Sequence, residues 1–472
     1  MHSGGCVRHL LVMLDLDAIV SREVAAVEVI DVHTHLLPPT HGQLMLYGVD
    51  ALLTYHYLVA ETWMVMPLDS EADSTSTVPD APPSKDEFFA WPLARQAELV
   101  FEELFVKRTP MSEACRGFIN VLSELGLTQL LREAATKPAK PRLDALRGWF
   151  AQQEPAEYLE RVCQLAKVKY VVMTNIPFVP EEAVHWKLKT VPIVSPRLKT
   201  ALRVDPILAG DWTTVAAALR RNEPAHPETL EGCKAYLREW IGILKPVYLM
   251  ASTPSGFKCT LTRRGVGRVG KKQRVGDEDA ELPLSAAAGG TPTGSDLFEK
   301  VLLEIAVEAG LPIAIKIGAV RGVNPALRAG GDAVEVADLS WLREVCLAYP
   351  HVKLLVTVLS AENQHELCVL AQKFGNLHVY GCWWFCNNPS MIKTITKMRL
   401  EMMGTAFTFN HTDCRVVDQL LYKWKHSRES LTPVLVAQYR KIVDAGWPLS
   451  EADIRRDVQL LCGGSYEAFM AK

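Results

Sequence analysis

The chain lacks any run near the roughly 20 apolar residues that a membrane-spanning helix needs. Its N-terminal apolar stretch, 9–14, is cut off by Asp15 and Asp17. An integral membrane helix is excluded on this reading, and a secretory signal segment is not expected. The chain also lacks a Cys-x-x-Cys pair, and its 11 cysteines are an odd number, scattered over 472 residues. This excludes a disulfide framework and reads as reduced, buried thiols of a cytoplasmic protein. Cys382 and Cys386 have too few ligand-type neighbours to make a zinc site. Charge of one sign is not in excess either: 51 Lys and Arg face 54 Asp and Glu, a net charge of −3. The total therefore calls for neither nucleic acid nor an acidic membrane surface as partner.

What is present is an ordinary globular composition, 49% hydrophobic and 22% charged,. Short apolar runs occur at 27–30, 170–173, 191–194, 247–250, 311–317, 352–358, 377–380 and 406–409. Many are rich in Val, Ile or Tyr without polar alternation, which suits strands buried on both faces. Helical patterns lie between most of them. The clearest is 296–309, with Ser295 as cap and Gly310 as stop,. Eight strands alternating with helices predict an α/β fold, a closed (β/α)8 barrel of the TIM type. We read 1–472 as one barrel domain. The first gap is too long for a crossover, and helical periodicity at 88–105 and 115–131 predicts a mainly helical insertion over 40–165. Two polar stretches, 69–86 and 263–296, cannot bury a core and are expected to be disordered loops, the second opening with a basic run at 263–274,.

Chemistry-bearing residues gather at strand ends. The first run leads into Asp31-Val32-His33-Thr34-His35. Residues i and i+2 of a strand share a face, so both imidazoles would point to one spot at the barrel's C-terminal mouth, where active sites of this fold sit. Imidazole suits Zn, Mn, Fe or Ni. With 13 His in 472 residues, chance supplies about 0.4 such pairs,; the position directly after an apolar strand adds weight. Asp413, after the last run, can be a carboxylate ligand, a general base or a plain helix cap. Arg415 can bind an anion bidentately and hold that carboxylate ionised. Lys316 lies inside Ile315-Lys316-Ile317, an unusual place for lysine. It reads as an acid/base group, a ligand-contacting cation or a buried ion-pair partner. Arg203 and Arg321 follow two other strands. Three such arginines suit a carboxylate- or phosphate-bearing substrate.

The order of these segments resembles the uronate isomerase family, a divergent branch of the amidohydrolase superfamily. After the His-x-His comes Leu52-Leu53-Thr54-Tyr55-His56-Tyr57, then Leu202-Arg203-Val204-Asp205, Lys316-Ile317-Gly318-Ala319-Val320-Arg321, Gly381-Cys382-Trp383-Trp384-Phe385 and Thr412-Asp413-Cys414-Arg415. The resemblance spans nearly the whole chain. It implies a divalent metal, zinc, on His33, His35 and Asp413. It implies Asp413, Tyr57 and His56 as catalytic groups, and Arg203, Arg321, Arg415, Trp383 and Trp384 around a small anionic sugar acid; Lys316 joins the catalytic candidates from its own place within the strand, not from the resemblance. The implied reaction is aldose–ketose isomerisation of a glucuronate- or galacturonate-type acid. Two departures stand out. The family's His before Ile-Gly-Ala is Lys316 here. Its Gly-Cys-Arg-x-x-Asp-His segment becomes Gly256-Phe257-Lys258-Cys259-Thr260-Leu261-Thr262, without the Asp and His.

Two other readings stay open at this level: a metal-dependent hydrolase or decarboxylase of the same superfamily, and a catalytically inactive barrel serving as a binding protein. A homo-oligomer is also left open. Deleting 265–292 is expected to leave the melting temperature and metal content nearly unchanged. A melting temperature lowered by many degrees would show that the segment packs.

Overall fold

The computed structural model describes residues 15–66, 83–136, 142–188, 195–261 and 291–472. Its strands are β1 (Val29–Thr34), β2 (Val168–Asn175), β3 (Leu198–Arg203), β4 (Leu249–Pro254), β5 (Ile313–Val320), β6 (Ala333–Val334), β7 (Leu354–Val358) and β8 (Leu377–Val379). They run in the order β1-β2-β3-β4-β5-β7-β8, all parallel, with the two-residue β6 added antiparallel to β5. β1 and β7 are buried along their whole length, as expected of strands with a packed interior on one side and helices on the other. Ile30, Val32, Tyr170, Val172, Met250 and Tyr380 fill the inside, together with Tyr466 and Phe469 of the last helix. Each such apolar side chain contributes about 1.5–3 kcal/mol. Among the described residues no helix is long and apolar enough to cross a membrane.

The run at 406–409 is not a regular eighth strand. It makes one parallel bridge, Tyr380 to Thr408. The ring nevertheless closes there, because Asp413 N donates to His33 O at 3.2 Å and His35 N to Cys414 O at 2.7 Å. Between these points two of the backbone donors have other partners. Phe409 N donates to Leu461 O at 3.0 Å, and Thr412 N to the Asp31 carboxylate at 3.1 Å. A ladder cannot form where its donors have other partners. The long helix Gln419–Asp444 backs this segment: Lys423 Nζ donates to Thr412 O at 2.8 Å, and Asn410 Nδ2 to Ser427 Oγ at 2.6 Å.

Other boundaries also differ from expectation. The run 191–194 lies outside the described residues, and the third strand is Leu198–Arg203. The helix expected at 296–309, with Ser295 as cap, begins two residues earlier, at Gly294. Thr293 caps it, in a capping box with Asp296, which satisfies two free backbone donors at once. It passes through a π-helical stretch, Phe298–Leu303, and stops at Gly310. Ser84 forms a second capping box, on the helix Lys85–Ala90, so 84–86 belongs to an ordered element. The rest of 69–82 and 263–290 lies outside the described residues. The helical stretch 88–105 is interrupted at Trp91-Pro92 and resumes as Leu93–Phe101, because proline lacks the donor that would continue the first helix. The described chain between β1 and β2 is otherwise mostly helical, from Val49–Leu53 to Pro155–Leu165.

Gly381 fixes how the β8 end meets the closing segment. Its φ is +66°, and a Cβ there would fall 1.9 Å from His411 Cδ2. Gly381→Ala is therefore expected to cost roughly 2–4 kcal/mol, read by chemical denaturation. A loss below about 1 kcal/mol would show that His411 yields easily.

Candidate active site

His33 lies within β1 and is fully buried; His35 follows just beyond its end. The β1 register is irregular between Asp31 and Thr34, and the two imidazoles stand perpendicular with centroids 5.0 Å apart. Asp413 faces them from the closing segment. It adopts φ +53°, an uncommon conformation for a residue with a side chain, held by the backbone bonds on either side of it. His33 Nε2 lies 2.9 Å and His35 Nε2 3.3 Å from the same oxygen, Asp413 Oδ1. Ligand atoms of the three residues lie within 4.8 Å of one another, so the cluster could hold a metal ion.

The hydrogen-bond network tests that fit. Thr174 donates its hydroxyl hydrogen to Thr34 O at 3.0 Å, so toward His35 Nδ1, 2.9 Å away, it can only accept. Arg203 Nη1, a donor, stands 3.4 Å from the same nitrogen, so Nδ1 is engaged from both sides and Nε2 is the nitrogen turned to Asp413,. Both imidazoles thus turn Nε2 to the one oxygen, Asp413 Oδ1, where a cation could be held between them. Two imidazoles, one carboxylate and an open side match the donor set of a catalytic zinc site. Second contacts, such as Thr174 on His35, orient ligands of this kind.

A cation is already present. Lys316, in the middle of β5 and only 2% exposed, places Nζ 2.7 Å from His33 Nε2 and 2.7 Å from Asp413 Oδ1. It also lies 4.5 Å over the Trp383 ring. Burial pushes the Lys316 ammonium down to about 8, while Asp413 resists. Burial acts to raise the Asp413 carboxyl, but Lys316 and the two histidines hold it well below the usual carboxylate range. The pair is therefore ionised at neutral pH.

Around this core a cleft is lined by His35, Tyr55, His56, Arg203, Arg321 and Arg415, with Trp383 and Trp384 as an aromatic wall. The arginines differ. Arg203 is bonded to Asp205, with Nε 2.8 Å from the carboxylate. Arg321 pairs with Asp332 at 2.5 Å and lies over the Trp384 ring. Arg415 makes no ion pair among the described residues and is exposed to the cleft. Tyr57 packs against Trp383 and Trp384, and its enclosed hydroxyl has no hydrogen-bond partner. Tyr55, not singled out from the sequence, lines the cleft in its place. His411 was also missed. It is fully buried, both ring nitrogens lack partners, and it sits edge-on to His33 at 5.2 Å. The third missed residue is Asp31, whose carboxylate accepts from Thr412 and from Trp424 Nε1 at 3.1 Å. Its place in Asp-Val-His-Thr-His was the available signal.

Cys382 and Cys386 are buried thiols facing carbonyl oxygens, Cys386 Sγ at 3.0 Å from Leu359 O, and they join no ligand cluster. A larger cavity opens beside Glu23, Lys169, Arg455 and Glu467. Four of its charges are paired with one another, Glu23 with Arg455 and Lys169 with Glu467, and it holds no cluster of metal-ligand side chains among the described residues.

No family model and no curated protein matches the chain. Among solved structures, a uronate isomerase from Bacillus halodurans C-125 is 36% identical, with a TM-score of 0.80 over 97% of this chain and 96% of its own. A uronate isomerase from Thermotoga maritima shares the fold at 14% identity, TM-score 0.64, over 96% of this chain and 97% of its own. A glucuronate isomerase from Caulobacter crescentus does so at 15% identity, TM-score 0.64, over 96% and 94%.

Burial pushes His33 down to about 4 and His56 to about 3, against about 6.5 in an unfolded chain. Between these values the unfolded chain binds more protons. The neutral imidazoles therefore contribute stability that is fully present above about pH 6.5 and lost as pH falls toward 4. Denaturant midpoints of metal-free protein are expected to drop between about pH 7 and 4.5, and to drop less in His33→Gln. Midpoints independent of pH across that window would contradict these assignments.

Proposed function

The chain belongs to the uronate isomerase family, and on that premise we propose that it interconverts the aldose and ketose forms of a glucuronate- or galacturonate-type sugar acid, with zinc as its metal. The observation that carries this reading is the convergence of His33, His35 and Asp413 at one end of a cleft whose unpaired cation is Arg415. A divalent metal on those three residues supplies Lewis acidity toward the sugar's carbonyl and hydroxyl oxygens. The chain's own groups then have separable tasks.

Arg415 takes the substrate carboxylate, because a free guanidinium presents a planar fork matched to it. Arg203 and Arg321, tied to Asp205 and Asp332, shape the positive wall of the cleft. Isomerisation moves a proton from C2 to C1 while the carbonyl passes from C1 to C2. Asp413 accepts its protein contacts through Oδ1, which leaves Oδ2 for the C2 proton. His56 stays neutral through burial, and its Nε2 lacks a protein partner, so it can return or relay a proton. Tyr57 holds Trp383 and Trp384 in place, and these rings exclude water from the sugar face. The ten described cysteines are all free and buried, which supports a reducing, cytoplasmic setting.

Purified protein supplied with zinc is expected to convert glucuronate or galacturonate to the corresponding ketose, followed by ketose-specific detection. Asp413→Asn should lower kcat by about 100-fold or more, and Arg415→Gln should raise KM roughly tenfold. Hydrolysis of lactones or amides without uronate turnover would replace this reading with the hydrolase one.

A further inference from the structure

His33 Nε2 has one lone pair. It can receive a hydrogen from Lys316 or bind a metal, but not both. In this structure Lys316 Nζ stands 2.7 Å from that nitrogen and 2.7 Å from Asp413 Oδ1. Metal ligands of these types lie about 2.0–2.2 Å from zinc. A metal on His33 would therefore sit within about 5 Å of the lysine nitrogen. Two positive centres at that separation, between side chains as buried as His33 and Lys316, repel strongly,. Asp413 is the only carboxylate bonded to Lys316 among the described residues, so a metal on Asp413 also removes the lysine's counter-charge. The remaining neighbour is the Trp383 face at 4.5 Å, and Lys316 borders the open cleft, which gives the side chain a direction in which to move.

We propose that Lys316 is an internal cation that holds the metal-binding donors in the metal-free protein and must be displaced for metal to bind, so that it sets the metal affinity of the site. This rests on the assignment of His33, His35 and Asp413 as the metal cluster. Bare acceptors facing one another are costly when buried, and the ammonium satisfies them without metal. The consequence is a site that is preassembled but loads weakly, with the lysine as the competing occupant.

The test is zinc titration by calorimetry on metal-stripped protein, with no substrate present. Lys316→Met keeps length and volume but removes the charge and the donors. It is expected to bind one zinc about 10- to 100-fold more tightly than wild type, and His33→Ala in that background should abolish the gain. Lys316→Gln is the second variant, used if Lys316→Met does not fold, with the thermal melt as the check. Cobalt(II) absorption gives a second readout: Lys316→Met should reach its tetrahedral band at a lower cobalt concentration than wild type. Equal or weaker zinc binding in the variants, or no zinc binding in any of them, would overturn the proposal. Uronate turnover is measured separately. Its absence beside a gain in affinity would sink only the assigned reaction, and turnover without that gain would sink only the role of Lys316.

Discussion

Asp413 is tied to the first strand twice, once through its backbone and once through its carboxylate. Its N–H donates to His33 O, and its Oδ1 lies within 3.3 Å of both imidazoles. The same few atoms thus close the barrel and assemble the donor cluster. The left-handed backbone at Asp413 costs free energy. Lys423, Trp424 and Ser427 of the helix behind, with Asp31 below, hold it there. Loosening this joint would open the barrel at its one irregular seam and separate the ligands together.

The electrostatics of the cleft follow from burial. Isolated charges are expensive away from water, and a buried pair is tolerated only when its bonds are well made. Lys316 with Asp413 and Arg203 with Asp205 meet that condition, while Arg321, more than half exposed, pairs with Asp332 at the rim. Arg415 does not need to, because it keeps access to solvent in the cleft. The net result is a cleft walled by paired cations, with Arg415 the one left unpaired among the described residues.

The helical insertion between β1 and β2 is part of the site. It delivers Tyr55 and His56 at the start of the helix His56–Val65, over the mouth of a barrel whose own strands end below. The turn Pro325–Gly331, beyond β5, packs on that helix closely enough that a Cβ on Gly330 would lie 3.0 Å from His56 O. Two excursions from the barrel thus meet above the His33, His35 and Asp413 cluster and give the cleft its roof.

Much of this was legible in the residue order. Unbroken apolar runs without alternation determine parallel strands buried on both faces, because no polar side is left for water. His-x-His after the first of them, and Thr-Asp-x-Arg after the last, mark residues that a barrel brings to one mouth. Local pattern could not show that 406–414 is held by side chains and by Leu461 rather than by a ladder, since those partners are distant in sequence. Tyr55 and Tyr57 are neighbours of equal chemistry, and only the packing of their helix on Trp383 and Trp384 decides which one faces the cleft. The sequence carried Lys316 as an oddity with three readings. Which one holds depends on the distance from Nζ to His33 and Asp413, a quantity set by how β5 lies across the barrel from β1, and therefore by tertiary structure alone.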